Sequence, residues 1–197
     1  MKPDAMTINV YDSKIEEYQN LSIDAVQDKR LIQFANVLPN NATVLDYGCG
    51  PGAAAAYFAD RGMTAHAFDA STEMVALADR HSRVKAWKAG FHEFSEVREY
   101  DGVWASFSLL HAPRKDMPSL LTRIHKSLKT AGKFCISVKL GDGEARDSLG
   151  RLYTYYQHNE LETLLKDAGF TWTNHIKGSS KGLDGTFSDW ISIFADA

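Results

Sequence analysis

The stretch Ala42 to Gly52, ATVLDYGCGPG, constrains the fold more than any other, because it encodes a buried strand, a glycine-rich turn and a helix start in succession. Val44 and Leu45 carry the β-branched and apolar character of a strand, while Gly48, Gly50 and Gly52 remove side chains where a ligand must come close to the backbone. Pro51 suits a first helical turn, where its missing N–H costs nothing. Ala53 to Asp60 are mostly strong helix formers, so the free N–H groups and positive dipole end of that helix point back at the loop. An anionic ligand group belongs there. Three glycines at alternate positions are costly in a plain turn, which argues against a loop without a ligand.

The chain spans 197 residues, enough for one domain with a proper core, and its seven strand patterns alternate with helical ones as in a doubly wound parallel sheet. The strands are expected at residues 43–46, 64–69, 84–88, 102–106, 133–139, 171–177 and 187–194. Helices are expected at 53–61, 72–80, 117–128 and 159–168, with an N-terminal helix from about Ile23 to Val37. Gly62 and Gly169 follow two of these helices as stop signals. The loop from Gly178 to Gly185 is too short for a crossover, so the last two strands must run antiparallel.

Two nucleotide cofactors fit the glycine loop. Gly48, Gly50 and Ala53 match the dinucleotide pattern G-x-G-x-x-A, with Asp69 about twenty residues on to hold a ribose, which keeps a nicotinamide oxidoreductase in play. The run Asp46-Tyr47-Gly48-Cys49-Gly50-Pro51-Gly52 also resembles the first motif of class I S-adenosylmethionine-dependent methyltransferases, an acidic residue at a strand end followed by G-x-G-x-G. The resemblance extends over nearly the whole chain, and is narrowest with small bacterial enzymes of the type 11, type 12 and tellurite-resistance kind. It implies a Rossmann-like seven-stranded sheet in the order 3-2-1-4-5-7-6 with strand 7 antiparallel, in a single domain whose residues 1–40 form a lid and helix and 41–197 the core.

The same resemblance assigns roles. Tyr11, with Tyr18 as fallback, belongs to a segment that folds over the cofactor. Asp46, Tyr47, Gly48, Cys49, Gly50 and Gly52 form the first contact loop. Asp69 ends the second strand, where a carboxylate accepts from both ribose hydroxyls, although it or Ser71 also suits as a helix cap. Ala70 and Met74 flank the adenosine, and Gly90 and Phe91 meet the adenine, since the family's usual carboxylate is missing from the run Lys88 to Glu93. Ser106 and Phe107 edge the methionine portion, and His111 is the candidate base nearest the departing methyl. The segment Lys139 to Tyr156, KLGDGEARDSLGRLYTYY, lies over the acceptor side; Lys139, Arg146, Arg151, Tyr155 and Tyr156 are its candidate substrate contacts, suited to an anionic small molecule.

Formal charge is −3, with 22 basic against 25 acidic residues, so no global basic field recruits nucleic acid, although Arg123, Lys126, Lys129 and Lys133 form a local basic row. Two cysteines are too few for a disulfide framework or a zinc site, and the absence of a signal or membrane-spanning run fits a cytoplasmic enzyme. The readings are therefore a small-molecule methyltransferase acting on oxygen, nitrogen or sulfur, a nicotinamide oxidoreductase, and a cofactor-binding module without catalysis. No metal ligand set is expected.

Overall fold

A computed structural model describes residues 3–21 and 27–197, the side chains of residues 19–21 excepted. Two short helices, α1 (Ala5–Ser13) and α2 (Ile15–Leu21), precede α3 (Lys29–Asn36). The sheet and its helices then follow as β1 (Thr43–Tyr47), α4 (Ala53–Asp60), β2 (Thr64–Asp69), α5 (Thr72–Ala78), β3 (Val84–Lys88), β4 (Tyr100–Ser106), α6 (Met117–Ser127) and β5 (Leu128–Lys139). A small hairpin, β6 (Glu144–Arg146) and β7 (Leu152–Thr154), leads to α7 (His158–Asp167), β8 (Thr171–Lys181) and β9 (Phe187–Asp196).

The seven-stranded sheet has the order β3-β2-β1-β4-β5-β9-β8, which is the expected topology once β6 and β7 are counted. Pairs from β3 through β5 are parallel; β9 runs antiparallel to both β5 and β8. Successive strand residues point to opposite faces, so Leu45, Val103, Ile136 and Val138 pack with Leu121, Ile124 and Leu161 on one side of the sheet. Val44, Trp104 and Cys135 pack with Phe34 and Phe58 on the other. This two-sided burial explains the near-continuous apolar strands.

Local signals act where the sequence put them. Gly62 and Gly169 take φ of +83° and +101° just past α4 and α7. The expected helix from Ile23 is corrected: α3 begins at Lys29, because the Asp28 carboxylate accepts from the backbone N–H groups of Arg30 and Leu31, and residues 22–26 lie outside the described residues. Gly178, expected in the final loop, sits inside β8. A Cβ there would lie 2.4 Å from the Trp190 indole, so the ring covers the strand where glycine leaves room. The basic row is engaged within the fold: Lys129 pairs with Asp101, Lys133 with Asp196, and Arg123 donates to the carbonyls of His92 and Phe94. No helix among the described residues is long and apolar enough to cross a membrane.

Candidate active site

The turn after β1 is held by the neighbouring strand. Gly48 and Cys49 both donate to the Phe68 carbonyl, at 3.1 and 2.9 Å, which bends the chain toward the carboxyl end of β2. Gly50 then donates to Asp69 Oδ2 at 2.9 Å. Gly50 has φ +52°, and the nearest atom to a Cβ built there is 3.4 Å away on the Tyr18 ring, so its bare face looks into a cleft. Asp46, buried beneath the turn, accepts from the Ala55 N–H in the first turn of α4 at 3.1 Å. Burial pushes its carboxyl up to about 7.

Asp69 faces the same cleft. Its Oδ2 takes Gly50 and its Oδ1 takes the Ser71 N–H at 2.9 Å, which leaves one further acceptor position on each oxygen. A pair of adjacent hydroxyls suits that arrangement. Ser71 settles the question of the cap: its hydroxyl accepts from Met74 N at 3.0 Å, so Asp69 is not needed to start α5. Burial raises the Asp69 pKa. Met74 and Phe91 line the cleft, and Phe91 stacks on Tyr47 at 5.3 Å. Gly90 does not line it; its N–H is taken at 2.6 Å by Glu93, whose carboxylate turns back into its own loop.

Helix α1 closes over this cleft. Asp4 caps it by accepting from Thr7 N at 2.9 Å and also pairs with Arg146 at 2.8 Å, a contact that holds the Asp4 carboxyl well below the usual range. The Thr7 hydroxyl accepts from Leu152 N, and Asp12 hydrogen-bonds the Ser71 hydroxyl. Tyr11 forms the centre of the closure. Its hydroxyl lies 2.8 Å from His111 Nε2 and accepts from Arg151 Nη1 at 3.0 Å, while Arg151 grips Asp147 at 2.6 Å with both groups nearly buried.

The tautomer of His111 follows from its partners. Nδ1 lies 2.6 Å from the Leu152 carbonyl, which only accepts, so Nδ1 carries the proton and Nε2 takes the hydrogen bond from Tyr11. Burial pulls the ring down to about 4, so it is neutral near pH 7. Both ring nitrogens are engaged in this closed arrangement.

A second cavity adjoins the first at Gly48, Ser106 and Phe107, and continues past Lys139, Tyr153 and Trp190. Phe107 takes φ +55°, uncommon for a residue with a side chain, and donates its N–H to Ser137 O at 3.0 Å. Arg30 supports it from below. The guanidinium lies 5.0 Å from both the Phe107 and Trp190 rings, reaches Ser137 and Ser192 at 3.2 and 3.3 Å, and is held by Asp28 at 2.6 Å.

The expected site residues thus separate into groups. Tyr11, Gly48, Gly50, Asp69, Ala70, Met74, Phe91, Ser106, Phe107 and His111 line the first cavity; Asp46, Cys49, Lys139 and Arg151 line the second. Tyr47, Gly52 and Gly90 line neither, nor do Arg146, Tyr155 and Tyr156. Arg146 is spent on Asp4, and Tyr156 is buried in the core under Arg114. Sequence reasoning missed Thr7, Ser108 and Arg30. The position of Ser108 directly after Phe107 was a usable signal, whereas Thr7 and Arg30 act through partners distant in sequence.

Comparison with known proteins gives the family. The sequence model of a methyltransferase domain family matches residues 18–175. No curated protein matches in sequence. Among solved structures, the Burkholderia thailandensis 1,6-didemethyltoxoflavin-N1-methyltransferase, with bound 1,6-didemethyltoxoflavin and S-adenosylhomocysteine, is 25% identical over 98% of this chain and 87% of its own, with a TM-score of 0.76. The cyclase SpnF, 17% identical, covers 100% of this chain and 97% of its own with a TM-score of 0.77. A TehB-like methyltransferase from Corynebacterium glutamicum, 16% identical, covers 93% and 96% with a TM-score of 0.68; these last two share the fold alone. The dinucleotide alternative falls to the family match and to the antiparallel β9, where a nicotinamide domain would more often add another parallel unit. A family match over most of the chain, joined to a cleft whose Asp69 has acceptor positions to spare, makes this chain a member of the methyltransferase domain family and a class I S-adenosylmethionine-dependent enzyme.

Proposed function

We propose that the enzyme methylates a nitrogen or oxygen of a flat, anionic small molecule in the cytoplasm, where its two free cysteines stay reduced. The observation that carries this reading is the aromatic cavity that meets the cofactor cleft at Ser106 and Phe107 while α1 covers the cleft. The Burkholderia relative, solved with bound 1,6-didemethyltoxoflavin and S-adenosylhomocysteine, supports it. S-adenosylmethionine supplies a methyl group on a sulfonium, and the acceptor's lone pair forms the new bond while the carbon–sulfur pair leaves with sulfur. Alignment carries most of the rate in such a displacement, on the order of 10⁵ M or more in effective molarity.

In this reading Asp69 holds the ribose hydroxyls, Met74, Ala70 and Phe91 enclose the base, and Asp46, Gly48, Gly50, Ser106 and Phe107 surround the methionine end. Tyr11 is the latch. His111 acts through Tyr11 as a positioning residue, since a ring held near 4 with its lone pair already engaged takes up a proton poorly at neutral pH. Arg146 and Arg151 hold the lid to the β6–β7 hairpin. Methyl transfer from labelled S-adenosylmethionine to a panel of fused heterocycles, 1,6-didemethyltoxoflavin included, tests the reading. Transfer only to proteins or nucleic acids contradicts it.

Two expected results concern the latch. Tyr11→Phe removes a hydrogen bond at each end of the Arg151–Tyr11–His111 chain, so S-adenosylhomocysteine should bind about 10-fold more weakly and dissociate faster. Stopped-flow release measures this. The closed lid also needs neutral His111, and opening returns the ring toward its ordinary value of 6.5 from about 4. Between these values the open state binds more protons, so closure is fully favoured above 6.5 and weakens as the pH falls toward 4. Affinity should therefore drop more between about pH 7.5 and 5.5 in the wild type than in His111→Gln, measured by calorimetry at each pH.

A further inference from the structure

Lys139 stands out because it is a partly buried ammonium at the sheet end with no hydrogen bond or ion pair among the described residues. Its Nζ lies 4.0 Å from the centroid of the Tyr153 ring. The neighbouring arginines are paired, and Asp184 is a negative charge that acts on Lys139 without an ion-pair contact. Arg30 is held by Asp28 and Arg151 by Asp147, while Asp184, across the β8–β9 turn, accepts from the Thr186 N–H and hydroxyl. Among the described residues, Lys139 and the exposed Lys181 are thus the cations lining this cavity that no carboxylate contacts directly. Burial lowers the Lys139 pKa, opposed by the nearby Asp184 carboxylate and reinforced by Arg151.

Placement adds a second constraint. Ser106 at the end of β4 pairs in register with Ser137 on β5, and Lys139 lies two residues further along, about 7 Å beyond that pair. Its partner across the sheet is Trp190, whose ring meets Phe107 edge-on at 5.9 Å.

We propose that Lys139 selects the acceptor as the anion of a weakly acidic N–H or enol heterocycle, its ring against Phe107 and Trp190 and its charge on the Lys139 ammonium. This rests on the small-molecule reading above and deepens it. Such an acceptor gives up its proton to water before the displacement. The lone pair left behind makes the bond to the methyl carbon, the carbon–sulfur pair goes to sulfur, and the ring ends neutral. No protein base has to take a proton during the step, which agrees with the engagement of both His111 nitrogens.

The test uses full-length protein saturated with S-adenosylhomocysteine, so that no sulfonium charge contributes, and two probes: lumazine, which has an ionisable ring N–H, and 1,3-dimethyllumazine, which has none at that ring. Titrated across the ionisation of lumazine, the anion should bind about 10-fold or more tightly than the dimethyl compound. Lys139→Met should erase the preference and Lys139→Arg keep much of it, with S-adenosylhomocysteine affinity unchanged in both. Equal binding of the probes, binding of neither, or a preference that survives Lys139→Met overturns the proposal. So does a Lys139→Met variant that loses S-adenosylhomocysteine, because the ammonium then serves the cofactor's carboxylate. Failure of the wild type to bind S-adenosylhomocysteine is a different result and defeats the methyltransferase reading itself.

Discussion

Asp69→Asn is expected to weaken S-adenosylhomocysteine binding by about 100-fold or more, since hydrogen bonds to a charged acceptor contribute about 1.5–3 kcal/mol each and two are at stake. The substitution keeps the size of the side chain but replaces one oxygen with an amide nitrogen that only donates. It also acts on the loop. Asp69 accepts from both Gly50 and Ser71, so the amide satisfies one N–H and faces the other with a donor. Calorimetry measures the affinity, and thermal unfolding separates the two contributions. A large affinity loss with a small change in Tm assigns the carboxylate to the ligand. Retained affinity contradicts the ribose role.

The largest stability effect is expected at Gly52, which lines neither cavity. It takes φ +83° at the start of α4, and a Cβ built on it would lie 2.6 Å from Ala78 Cβ and 2.7 Å from Ala78 Cα at the end of α5. Neither neighbour is a flexible side-chain end that could swing away. Gly52→Ala combines left-handed strain of about 1–2 kcal/mol with overpacking of about 1–3 kcal/mol, for a destabilisation of roughly 3 kcal/mol. Urea unfolding should show a lower midpoint at similar slope. A loss of cofactor affinity with unchanged stability would instead place Gly52 at the ligand.

The contrast between Gly50 and Gly52 marks the limit of what the sequence made legible. All three loop glycines adopt positive φ, so the motif fixed the turn, the strand before it and the helix after it. One pattern nevertheless covered two jobs: Gly50 bares the backbone to the cleft, whereas Gly52 lets α4 approach α5. The strands and the antiparallel β9 were legible for a similar reason, because apolar strand patterns and a short final connection are local, whereas the sheet order came with the resemblance to class I methyltransferases. The N-terminal lid with Tyr11 came with the family resemblance, but the contacts that hold it were not legible. Helix α1 has a single buried residue, Thr7, and it is fixed by Arg146, Arg151 and Leu152, far along the chain. Arg30 was hidden in the same way, since its partners Ser137 and Ser192 belong to strands at the other end of the sequence. The charged segment after β5 read as a substrate clamp by composition. Its guanidiniums instead meet Asp4, Tyr11 and Asp147, and Lys139 is left facing the second cavity with no carboxylate in direct contact among the described residues.

Titration of the wild-type protein with S-adenosylhomocysteine, beside NADH under the same conditions, tests the central claim most directly. A single micromolar site for S-adenosylhomocysteine, with no heat from NADH and no competition by it, is the predicted result; NADH binding that S-adenosylhomocysteine neither matches nor displaces would contradict it.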